Sequence, residues 1–160
     1  MLKSRISNLS NLPVTLADFK AYICGINHTL QDAIIERHIK AATIWATKQS
    51  NVPAADFDVE LTQDKATLRQ ELLFDNITIV TVKDLLTGDE ISYTSNANDT
   101  VVNTDVEYQL LINYSCVAEV NDVLTDAILN YAVILYSGQT DKDAIMRIQN
   151  DLRTIQNEIY

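Results

Sequence analysis

Three carboxylates at alternating positions, Asp56, Asp58 and Glu60 in "DFDVELTQDKAT", form the densest acidic cluster in this 160-residue chain. Oxygen ligands at the first, third and fifth positions are how a calcium loop begins. Such a loop also needs a Gly at its sixth position for the tight turn and a bidentate Glu at its twelfth. Here those positions are Leu61 and Thr67, so the three acids are expected to line a solvated strand face. His28 and His38 stand ten apart without an HExxH pattern, and Cys24 and Cys116 lack zinc-site spacing. His38 is expected to be a hydrogen-bonded, part-buried residue, and both cysteines to be core. Three glycines in the whole chain leave no phosphate-cradling loop, and no GxSxG element occurs. The reading is of a protein with no catalytic residue, no metal and no cofactor. It is not expected to be an enzyme.

Recognition surfaces are easier to find than reactive groups. Ile145, Ile148, Leu152, Ile155 and Ile159 are spaced 3, 4, 3, 4, an a/d seam with polar residues between. Two heptads are too few to stand alone, so the seam must dock, either on this chain's own helices or, through its distal turns, on a partner. Ile148, Leu152, Ile155, Ile159 and Tyr160 are the candidate partner contacts. Net charge is −10 and unevenly spread: residues 1–53 carry +3 and residues 54–160 carry −13. An acidic majority argues against tight DNA binding, which needs clustered cations. The asymmetry suits head-to-tail contact between copies. Arg37, Lys40 and Lys48 on one side, with Asp56, Asp58 and Glu60 on the other, are the candidate subunit contacts.

These residues need elements to hold them. Thr15-x-x-Asp18 reads as a capping box opening a helix over 15–23, and a second helix is expected over 29–49. The period then shortens from 3.6 to 2. Phe57, Val59 and Leu61 share one parity and Leu68, Leu72 and Phe74 the other, which predicts a hairpin around Gln63-Asp64. "ITIVTVKD", "EISYT" and "VEYQLLINYSC" predict further strands, with "SNANDTVVNTD" an exposed loop. "VLTDAILNYAVILYSGQ" holds a single charge. Its longest apolar run, Ala132–Tyr136, is far below the roughly 20 residues a membrane span needs. It predicts a buried helix over 121–137, capped by Asn121 or Asp122 and closed by Gly138. A last helix is expected over 141–158.

The expected fold is therefore α+β. Residues 1–160 form a single domain, in which 15–50 and 121–160 make a four-helix bundle and 56–116 is a β-hairpin or antiparallel-sheet insertion. Separate α and β domains are the less favoured arrangement at this length. "MLKSRISNLSNLP" lacks the apolar core of a secretory signal, and two cysteines are too few for a disulfide framework. Folding in a reducing cytoplasm is expected.

Two stretches resemble the head–tail connector (adaptor) proteins of tailed bacteriophages. "VTLADFKAYICGINHTLQDAIIERHIKAATIWATKQSN" is similar to that family's opening: a short helix, a break and a long Ala-containing helix. "VEYQLLINYSCVAEVNDVLTDAILNYAVILYSGQTDKDA" resembles its late strand, connecting loop and apolar helix. The family often has a Gly in that loop, where "SCVAEVND" has none. The resemblance implies a structural virion protein at the head–tail junction, made in the host cytoplasm. It implies a ring, dodecameric like the portal, that docks on the portal protein. The ring would meet the tail or next neck protein and let double-stranded DNA pass unbound, with no membrane involved. The alternative is a non-enzymatic, monomeric or dimeric acidic binding module, or another neck or tail-completion protein.

Overall fold

The computed structural model describes residues 1–23, 29–119 and 121–159, with the side chains of the last helix described as far as Ile155. In chain order the elements are β1 (Leu2–Ser10), α1 (Leu16–Ile23), α2 (Asp32–Ser50), β2 (Asp56–Glu71), β3 (Ile77–Asp84), β4 (Thr94–Ser95), β5 (Val101–Cys116), α3 (Asp122–Ser137) and α4 (Lys142–Ile159). The chain divides into two compact units: Met1–Ser10 with Ala55–Ala118, and Asn11–Ala54 with residues 119 onward. Each has its own apolar core.

The first unit is a five-stranded antiparallel sheet in the order β1-β2-β5-β3, with β4 also on β5. Phe57, Val59 and Leu61 of β2 point inward with Leu110, Ile112 and Tyr114 of β5. β2 and β5 are long, running from the Phe57–Cys116 pair to the Glu71–Val101 pair. A flat strand of that length would extend about 50 Å. Yet β3 begins beside Cys116, and the six steps from Glu71 to Ile77 reach at most about 22 Å. The ribbon must therefore fold back on itself. It does so at two register breaks, between Gln63 and Thr67 and between Thr67 and Arg69, as bulges bend strands elsewhere. The fold-back brings Phe74 edge-on to Phe57, ring centroids 5.4 Å apart.

The second unit is helical. The capping box at Thr15 forms: the Asp18 carboxylate accepts from the Thr15 N–H at 2.8 Å and from its hydroxyl at 2.6 Å, and the Asp18 N–H donates to Thr15 Oγ1. The Asn121 side chain caps α3 by accepting from the Leu124 N–H at 2.9 Å, and Gly138 closes it in the left-handed conformation at φ 68°. The core joins Phe19 of α1, Ile35, Ile39 and Ala42 of α2, Leu124 and Ile128 of α3, and Leu152 of α4. Trp45 stacks on Tyr131 at 3.9 Å between centroids.

This corrects the expected fold. The chain is not a four-helix bundle carrying an inserted hairpin. The strands form a full sheet with its own core, and that sheet includes the N-terminal segment, which had no predicted element. β1 went unread because its side chains are mostly exposed. It exists by pairing its backbone with β2, and leaves little hydrophobic signature. The hairpin at Gln63-Asp64 is also absent, since β2 continues through these residues as one bent strand. The parity change between Leu61 and Leu68 marks a bulge, not a turn. "EISYT" contributes only the Lys83–Glu90 bridge and the start of β4. β5 begins at Val101, inside the segment expected to be loop. Nor is α3 buried all round: Ile128 is fully enclosed, whereas Tyr131 and Leu135 are half-buried and Val123 is exposed.

Candidate functional site

Strand alternation places Asp56, Asp58 and Glu60 on the face of β2 opposite its core residues. Two of them are occupied within their own unit. Asp56 accepts from the Ala118 N–H at 2.7 Å, and Asp58 accepts from Asn8 Nδ2 at 2.7 Å. Glu60 is exposed, with Arg5 opposite it on β1 and Asn113 on β5. Asp58, Glu60, Arg5, Ser7, Val80 and Asn113 line a shallow trough of about 490 Å³. Among the described residues no group of three or more His, Cys, Asp or Glu is placed to hold a metal ion.

Cys116 faces the sheet core, where burial, with a smaller contribution from the Asp58 carboxylate, pushes its thiol up to about 12. A thiol held protonated is a poor nucleophile. Burial also lowers the pKa of His38, with Arg37 adding to the effect, which favours the neutral ring. His38 is part-buried but makes no hydrogen bond among the described residues; its ring meets Tyr136 nearly edge-on, 6.5 Å between centroids. Cys24 and His28 lie outside the described residues. No helix among the described residues is long and apolar enough to cross a membrane.

The α4 seam is directed inward. Ile148, Leu152 and Ile155 retain 7%, 0% and 4% of their exposure and belong to the core of the helical unit. The side chain of Ile159 and all of Tyr160 lie outside the described residues.

The outer face of α2 is different. Arg37, Lys40 and Lys48 are exposed, and none lies within ion-pair distance of an acid among the described residues. They share this face with Ile34, Ala41 and Ile44. Positions 34, 37, 41, 44 and 48 repeat at intervals of 3, 4, 3 and 4, so they form one stripe along the helix. A second feature went unread in the sequence. It is a groove of about 240 Å³ between α3 and α4, with Val123, Ala127 and Ile148 in its floor and Asp126, Asn130, Asp151 and Thr154 on its walls. Tyr22 of α1, half-exposed, donates its hydroxyl hydrogen to Asn130 Oδ1 at 2.7 Å. The groove's signal in the sequence was the pair of acids one turn apart at the start of α3, Asp122 and Asp126, beside apolar Val123 and Ala127. It was hidden because the whole segment reads as a buried helix.

No protein-family model matches the sequence, and no curated protein matches it. Solved structures do match in fold. A chain in the neck of an empty gene transfer agent particle, computed with C6 symmetry, superposes with a TM-score of 0.57 at 12% identity, over 96% of this chain and 95% of that one. A chain of the virion of a native gene transfer agent particle gives 0.55 at 12% identity, over 92% and 94%. At that identity the likeness is one of architecture, and it spans both units: this chain has the fold of a chain found in the neck of a phage-like particle.

Proposed function

We propose that this protein is a structural, non-enzymatic component of the neck of a phage-like virion. In this reading it is a head–tail connector that forms a ring on the portal and extends the DNA channel toward the tail. The observation that carries the reading is the fold likeness to a neck chain over 96% of this protein, which runs through the helices and the sheet alike. The surfaces support it too. The helical unit carries a basic stripe that forms no ion pair among the described residues and a groove with acids on its walls, surfaces suited to contact between protein copies. An excess of acid, net −10, would keep passing DNA from adhering.

The test is to add the full-length protein to DNA-filled heads that carry a portal but no neck, and to image the portal vertex. A ring of density on the portal is the expected result. Failure to sediment with such heads would refute the reading. So would a sequence-specific duplex complex of nanomolar affinity at physiological salt, which would make the protein a DNA-binding regulator.

A further inference from the structure

We propose that the α3/α4 groove of one copy receives the outer face of α2 from the next copy. The proposal rests on the ring-forming reading above and names the two surfaces that would close the ring.

The stripe and the groove complement each other in kind. Ile34, Ala41 and Ile44 present apolar side chains where the groove floor offers Val123, Ala127 and Ile148. Among the described residues, Arg37, Lys40 and Lys48 form no ion pair, Glu36 one turn before Lys40 included, and Asp126 and Asp151 on the groove walls form none, Arg147 one turn before Asp151 included. Lengths also agree. Val123 to Asn130 along α3 and Arg37 to Ile44 along α2 are both two turns, about 10 Å. An amphipathic helix laid into such a groove is a common mode of recognition, with apolar anchors for affinity and flanking charge for register.

The two surfaces cannot meet within one molecule. α2 packs on α3 and α4 through Ile35, Ile39, Ala42 and Ala46, all buried. At about 100° per residue the stripe lies half a turn from that face and points away from the groove of its own chain. A contact between them therefore joins two different copies, and in the ring-forming reading it is heterologous. Repeated from copy to copy, it closes into a ring or runs on as a filament.

The test is charge exchange on the full-length chain, read by sedimentation velocity at about 50 mM salt, where exposed charges act over more than 10 Å. The stripe variant is Arg37→Glu with Lys40→Glu, and the groove variant is Asp126→Lys with Asp151→Lys. All four positions are exposed, so both variants should fold, and circular dichroism checks that they do. Wild type should self-associate, and each variant alone should associate on the order of tenfold more weakly. An equimolar mixture of the two should recover association, because reversed stripe meets reversed groove and the native pair is also restored. In a Cys24→Ser background carrying Ile44→Cys and Val123→Cys, oxidation should link copies, and neither added cysteine alone should do so. Absence of self-association in wild type, unaltered association in either variant, or a mixture that fails to recover would each overturn the proposal. Attachment to heads is measured on the same variants. Heads that bind a ring insensitive to these changes would leave the neck reading standing and remove this one. Association by this contact without attachment to heads would do the reverse.

Discussion

Replacing Leu152 by Ala tests whether the α4 seam belongs to the core of the helical unit. Leu152 is 0% exposed and sits in the cluster with Leu124 and Ile128. Truncation removes three carbons' worth of burial, about 2.4 kcal/mol at roughly 0.8 kcal/mol per methylene. The cavity left behind adds to this, and measured Leu→Ala costs at buried sites run from about 2.7 to 5 kcal/mol. The expected loss is about 3 kcal/mol, a large share of the roughly 5–15 kcal/mol that holds a domain folded. Urea unfolding followed by circular dichroism reads it as a lower midpoint at unchanged slope. Met146→Ala is the control, since Met146 lies on the same helix and is 59% exposed. It should change stability by less than about 0.5 kcal/mol. A Leu152→Ala cost below about 1 kcal/mol, or an equal cost at Met146, would refute the placement of the seam.

Gly138→Ala should destabilise by about 1–2 kcal/mol, because Gly138 closes α3 at φ 68° and a β-carbon is strained there; a neutral result in thermal unfolding would contradict the cap. The Thr15 hydrogen bonds hold the Asp18 carboxyl below its ordinary 3.8. Its contribution should therefore be complete above 3.8 and fade as pH falls through the folded value. The stability gap between wild type and Asp18→Asn should shrink in that range, and a gap that persists unchanged at lower pH would refute the coupling. Cys116, buried and with its thiol pushed up to about 12, should resist a thiol reagent at pH 8 in a Cys24→Ser background until the protein is unfolded. Labelling at the rate of a free thiol would contradict its burial.

Much of the helical unit was legible because its signals are local. Thr15 and Asp18, Asn121 and Gly138 fix helix ends through groups within a few residues of one another, and the 3.6 period did the rest. The sheet was harder because its determinants are distant in sequence. β1 is held by partners that lie far along the chain, from Leu2 with Gln63 to Ser10 with Asp56, and its side chains carry almost no burial pattern. At Gln63-Asp64 the sequence held the right sign, a parity change, but two structures share it: a turn and a bulge. Only the pairing with β5 tells them apart. The α4 seam was visible as a seam, and its spacing alone left the occupant open. The groove beside it depended on two helices meeting, which no single segment records.

The charge asymmetry of the chain also resolves into parts once the units are separated. The basic excess of residues 1–53 is not one patch. Lys3 and Arg5 lie on β1 in the sheet unit, where Lys3 and the N-terminal amine approach Asp64 at 4.0 and 3.8 Å and Arg5 stands across from Glu60. Such exposed pairs add little stability, but they place positive charge beside the acids of β2, two of which already accept hydrogen bonds from their own unit. On α2, Arg37, Lys40 and Lys48 form no ion pair among the described residues, although Glu36 stands one turn before Lys40. The acids of the α3/α4 groove, Asp126 and Asp151, are in the same condition. Two sets of exposed opposite charges, free of ion pairs among the described residues, each beside apolar side chains and facing away from the other in one molecule, are what the proposed contact between copies would use in place of the β2 acids.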